Sequence, residues 1–187
     1  MQVYLDSAMA ISATEIFQRH PECFEPATAK LFQEGHDPLF LPGLHFARRT
    51  AESVAINSVH GGAIIMAGSG MCTGGRVRHH LQHNLGREDS SIVFVGYAAI
   101  GTLARRIIDG AEQVNIFGEN IPVRARIYTI NGFSAHADQA ELLAWQKQTS
   151  PKRTFLVHGE EDIMRQFAAH LPDARIEMPR LNQVFEL

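Results

Sequence analysis

Three short apolar runs limit what this chain can fold into: AIIMA at residues 63–67, SIVFV at 91–95 and TFLV at 154–157. Each is closed by a loop and followed by a helix-compatible stretch. Runs of this length suit buried strands, and strands separated by helices make a mostly parallel sheet with right-handed crossovers. The spacing predicts an opening strand at 3–5 and a helix over 10–19, with Ser7 or Ser12 as cap and His20-Pro21 as its stop. Residues 21–43, with four prolines, read as loop and short helix. Further helices are expected over 76–84, 102–108, 139–148 and 163–170. Strands at 114–117 and 123–130 read as a hairpin around FGEN, and 174–178 as one more strand. Asp138 and Glu141 have the spacing of a capping box at the start of the 139–148 helix. The fold class is therefore α/β, a mostly parallel sheet with flanking helices. In such sheets ligands gather at the carboxyl ends of strands. Here those places carry GSGMCTGG (68–75), NGFSAHAD (131–138) and HGEED (158–162).

Composition removes several classes. With 187 residues, 45% of them hydrophobic, the chain can build a core for one domain or two small ones. That apolar content and a net charge of −3 exclude a disordered chain. No apolar run approaches the ~20 residues that span a bilayer, and MQVYLDSAMA lacks the basic and apolar regions of a secretory signal. Two cysteines, Cys23 and Cys72, fit a reducing compartment, and a cytoplasmic location is expected. The mildly acidic balance means that any nucleic-acid contact comes from a local basic patch.

The glycine loop is the first candidate site. Glycines let backbone approach a ligand closely, and the helix start after them offers free N–H groups and a positive dipole end. With Arg76 and Arg78 beside it, the loop is a candidate phosphate cradle. It departs from the named templates: Arg76-Val77 stand where a P-loop needs Lys and Ser/Thr, and Thr73 stands where a dinucleotide motif needs Gly. Ala67 and Met71 stand where a nucleophile elbow around Ser69 needs Gly. A tight strand-to-helix turn without a ligand remains open.

His136 and His158 are the second candidate. They lie 22 residues apart, the length of one helix plus one strand. Adjacent parallel strands would bring both imidazoles to one edge, where they suit metal ligation or proton transfer. Asp138, Glu160, Glu161 and Asp162 lie close enough in sequence to orient a ring nitrogen. Two histidines fall short of the three protein ligands of a catalytic zinc. His79, His80 and His83 share a helical stretch and read first as a solvated face. Arg105-Arg106 read likewise, and Met66 and Met71 read as packing residues. Cys72 sits at a helix start, where thiol pKa falls, yet without a histidine partner in sequence it reads as structural.

Four stretches, LDSAMAISATEIF, GSGMCTGGRVRHHL, VGYAAIGTLARRI, and NGFSAHADQAELLAW followed by TFLVHGEEDIM, together resemble the metallo-β-lactamase-fold RNA-processing nucleases of the β-CASP group. The resemblance covers nearly the whole chain. It implies a metallo-β-lactamase domain interrupted by an inserted β-CASP domain, with single-stranded RNA entering the cleft between them. On that pattern His136 is catalytic, as a proton-transfer or phosphate-contacting group, and His158 is a zinc ligand. Ser69, Gly70 and Met71 of the SGM loop, with Gly74, Gly75, Arg76 and Ser134, match or flank positions that hold RNA phosphates.

The family's HxHxDH segment and its other zinc ligands lie upstream and are absent here. The resemblance therefore implies a carboxyl-terminal portion: residues 1–131 the later part of the β-CASP domain, and 132–187 the segment returning to the metallo-β-lactamase domain. The complete enzyme would use two zinc ions for endo- or exoribonuclease hydrolysis. This portion alone would retain no zinc and be inactive without its upstream half. Homodimerisation is compatible with the reading. A non-catalytic nucleic-acid- or partner-binding module, or an unrelated nucleotide-binding α/β domain, are the rival functions.

Overall fold

The structure, a computed structural model, describes residues 1–133 and 136–186. The chain divides into two compact units, Met1–Gly132 and Phe133–Leu187.

In the first unit, β1 (Gln2–Leu5) runs into α1 (Ala8–Arg19), α2 (Pro26–Gln33), β2 (Leu44–Phe46), α3 (Thr50–Ile56) and β3 (Ala63–Met66). Then come α4 (Val77–Asn84), β4 (Ser91–Val95), α5 (Leu103–Ile108), β5 (Gln113–Ile116), β6 (Glu119–Pro122) and β7 (Arg126–Ile130). β1 lies between β2 and β3 and is parallel to both, with Val3 opposite Leu44 and Ile64. β4 pairs in parallel with β7, Val93 opposite Tyr128 and Val95 opposite Ile130. The α/β class with parallel pairing is thus observed.

Local chemistry accounts for the element ends. Ser7 holds extended backbone and its Oγ accepts from the Ala10 N–H at 3.3 Å, so it caps α1 where Ser12 does not. Thr102 caps α5 in the same way. The core gathers around α4 and α5: Leu81, Leu85, Ala104 and Ile107 pack against Phe94, Val114 and Ile116. Each large aliphatic side chain fully buried there contributes about 1.5–3 kcal/mol.

The expected hairpin is corrected. β5 turns through Phe117-Gly118 into β6, with Ile116 opposite Glu119, whereas residues 126–130 leave to pair with β4. Val114 and Ile116 alternate inward with period 2, which fixes that register. β2 and α3 were not expected; three residues of strand among prolines and glycines give too short a pattern to read.

Parallel strands are usually covered on both faces. Here Phe94 faces the core, while Val93, Val95, Tyr128 and Ile130 on the other face stay 41–57% exposed. An open cleft of about 950 Å³ within this unit is lined by residues of β3, α4 and β4, with Ser69 and Gly70 at its rim.

The second unit has α6 (Gln139–Thr149), β8 (Thr154–Phe155), α7 (Glu161–Ala168) and β9 (Ile176–Glu177), with β8 parallel to β9. Among its described residues none is fully buried. Phe133, Trp145 and Val157 stay exposed.

Candidate functional site

The glycine loop leaves the carboxyl end of β3 and returns as α4. Its shape depends on one glycine. Gly75 has φ +80°, and a Cβ there would stand 2.6 Å from the Gly68 carbonyl oxygen. Gly70 and Gly74 have open space instead. The Cys72 N–H donates to the Ser69 carbonyl, and Cys72 itself takes φ +54°. Ser69, Gly70 and Gly75 remain exposed, while the first-turn N–H groups of Arg78 and His79 in α4 donate back to the Gly75 and Arg76 carbonyls.

Beneath the loop lies a cluster that sequence reasoning missed. Asp6, fully buried at the end of β1, accepts 2.6 Å hydrogen bonds from Ser53 Oγ, Arg76 Nη1 and His80 Nε2. Its backbone N–H extends the ladder to the Met66 carbonyl. Burial pushes the carboxyl pKa up, but the bonds from Ser53, His80 and Arg76 outweigh it and hold Asp6 below the ordinary carboxylate range. An ionised carboxylate only accepts, so His80 donates through Nε2 and its buried Nδ1 has no partner among the described residues. One carboxylate thereby joins β1, α3, the end of the loop and α4.

Several expectations change. Arg76, expected on a phosphate, turns inward: besides Asp6, it donates to the carbonyls of Ala47 at 2.6 Å and Arg48 at 3.1 Å. His80 is not on a solvated face, whereas His79 and His83 are exposed. The Cys72 thiol is pushed up to about 11 by burial, not lowered by the helix start. Met71 is a tether: its sulfur accepts from the Ala99 N–H at 3.2 Å and its carbonyl from the Ala104 N–H at 3.3 Å, which holds residues 96–104 against the loop. Arg105 pairs with Asp109 on the surface of α5. Asp6 could have been flagged by its place, a lone acid ending an apolar strand; its partners could not.

In the second unit His136 is exposed, two residues before the cap of α6. Asp138 accepts from the Glu141 N–H and Glu141 from the Asp138 N–H, both at 2.9 Å, so this carboxylate closes a helix start. His158 is exposed with φ +66°, in the left-handed region where histidine is enriched but uncommon. After it, a Cβ at Gly159 would meet Met164 Cγ of α7 at 2.9 Å. Glu161 pairs with Arg165 along α7. β8, the strand that runs toward His158, pairs with β9. Ser134 lies outside the described residues. Among the described residues no group of three or more His, Cys, Asp or Glu side chains forms a metal site. These residues by themselves do not fit a catalytic zinc.

Two family models match the chain: the Beta-Casp domain over residues 1–107 and the Zn-dependent metallo-hydrolase RNA specificity domain over 120–178. Among curated proteins, Ribonuclease TTHA0252 of Thermus thermophilus is 42% identical over 86% of this chain and 37% of its own length. Transcription termination factor FttA of Methanocaldococcus jannaschii is 35% identical over 89% of this chain and 27% of its own length. The FttA of Pyrococcus abyssi is 34% identical over 84% and 26%. The chain thus spans between about a quarter and somewhat over a third of these relatives.

Proposed function

Because the chain belongs to the β-CASP family of metallo-β-lactamase-fold RNA nucleases, we propose that it is the carboxyl-terminal portion of a zinc-dependent hydrolase of single-stranded RNA. The observation that carries the reading is the glycine loop at the carboxyl end of β3, clamped from below by Asp6. Such a clamp holds the exposed backbone of Ser69, Gly70 and Gly75 in a set arrangement that a phosphate can approach closely. In this reading Ser69, Gly70, Gly74 and Gly75 line the phosphate path. Arg76 fixes the loop, and Met71 fixes the neighbouring turn.

His136 assists proton transfer or contacts the phosphate, and His158 contributes one ligand to a zinc site whose other ligands come from the upstream half of the protein. Its left-handed backbone supports this role, since such conformations cluster at functional sites. The exposed apolar face of β4 and β7 and the absence of a buried residue among those described in the second unit support a longer protein covering both. On this reading the chain alone holds no zinc and is inactive.

The test compares the chain alone with the chain joined to the segment encoded ahead of it. The chain alone is expected to bind single-stranded RNA weakly, in a salt-dependent manner, without cleavage. The joined protein is expected to cleave it only with zinc. There His158→Ala should lower zinc content and turnover together, while His136→Ala should keep zinc and lower turnover about 10²–10⁴-fold. Cleavage by the chain alone, or metal loss with His136→Ala only, overturns these assignments.

A further inference from the structure

α4 carries a second surface feature, one helical turn from the glycine loop. The Arg78 guanidinium lies over the Phe117 ring at 4.4 Å from its centroid. The His79 imidazole stacks on the same ring at 4.6 Å and 26°. No carboxylate among the described residues pairs with Arg78, and the nearby Glu119 is held by Gln82 Nε2 at 2.9 Å. Phe117 itself sits at the tip of the β5–β6 turn with φ +53°, followed by Gly118 at +87°. A two-residue turn of this kind favours Asn-Gly or Gly-Gly. A phenylalanine in the left-handed region is strained where glycine is not. Core burial does not offset this, because the ring stays 47% exposed. A strained, exposed aromatic at a surface turn points to a ligand.

We propose that Arg78, Phe117 and His79 form a stacking platform for a base of single-stranded RNA whose neighbouring phosphate enters the glycine loop. The proposal rests on the RNA-hydrolase reading and extends it to a base-binding subsite. Imidazole faces and guanidinium planes both stack unpaired bases, and His79 is exposed on the solvent side of α4. Arg78 and His79 follow the loop by two to three helical residues, about 5 Å along the axis, within reach of an adjacent nucleotide. Stacking of this kind tolerates any base, so the platform supplies affinity and direction without sequence preference.

The test titrates the intact protein, in EDTA to halt metal-dependent cleavage, against a fluorescein-labelled oligoadenylate and an abasic oligonucleotide of equal length. Phe117→Gly removes the ring and relieves the backbone, so its melting temperature should hold or rise. Its affinity for oligoadenylate should fall about five- to a hundred-fold, with abasic binding unchanged. Phe117→Trp should retain both. If Phe117→Gly binds oligoadenylate as the native protein does, or loses both probes equally with a lower melting temperature, Phe117 is a packing residue and the platform is overturned. If Gly75→Ala loses both probes while Phe117→Gly matches native, the hydrolase reading stands and the platform falls. Native protein that binds neither probe removes both.

Discussion

At the scale of single residues, charge partners and burial decide behaviour that residue type leaves open. Asp6 is the clearest case. Asp6→Asn leaves Arg76 and His80 without a carboxylate in a buried setting, and breaking such a pair costs about 3–5 kcal/mol. Its folded pKa lies below the ordinary value. Its contribution is therefore full above the unfolded pKa of about 3.9 and is lost as pH falls through the lower folded value. Denaturant unfolding should show a native-minus-variant gap that is constant from about pH 5 upward and shrinks in stronger acid; a gap independent of pH would show that folding leaves the Asp6 carboxyl unshifted, and one that shrinks as pH rises above about 4 would show that it is neutral in the fold. The two cysteines give a second expectation. Cys23 is exposed, while Cys72 is buried with its thiol raised to about 11. A thiolate reagent near pH 8 should modify one thiol quickly in the folded chain, and the second only on unfolding. A raised thiol pKa stabilises the fold below the ordinary thiol value, and that contribution disappears as pH climbs through about 11. Rapid modification of both cysteines would mean that Cys72 opens to solvent.

At the scale of elements, the loop-to-α4 junction concentrates the constraints. Gly75→Ala forces an L side chain into the left-handed region and against the Gly68 carbonyl. Destabilisation of at least about 1–2 kcal/mol is expected, with loss of loop geometry. Gly70→Ala meets open space and an ordinary backbone, so thermal unfolding should barely move. The two glycines, equivalent in a motif, separate in one melting experiment; equal effects would mean that the turn closes differently. α6 supplies a milder case, since Asp138→Ala removes the cap and should cost about 0.5–2 kcal/mol of stability.

At the scale of the whole molecule, unsatisfied apolar surface is the dominant fact. Val93, Val95, Tyr128 and Ile130 form an apolar face, and the second unit has two strands of two residues each and no fully buried side chain among those described. Exposed patches of this kind mark interaction sites or drive association. Sedimentation should therefore show the isolated chain self-associating, and Val93→Lys with Tyr128→Lys should reduce that. On the proposed reading, the same pair should also weaken assembly with the upstream half. A monodisperse monomer with native-like stability would argue that these faces need no cover.

What the amino-acid order determined was local and periodic. The apolar runs at 63–67 and 91–95, the cap at Asp138, the pair Ser7 or Ser12 ahead of α1, and the loops at strand ends follow from interactions within a few residues. They could be read without coordinates because propensity, capping and alternation act at short range. Pairing and charge partnership required the tertiary structure. Whether residues 126–130 fold back on β5 or cross to β4 depends on which distant strand offers a free edge and a matching apolar face. Arg76 and His80 meet Asp6 across 70 and 74 residues of sequence. Only the packed fold turns the arginine inward, buries the histidine, raises the cysteine and holds a phenylalanine at the tip of a turn.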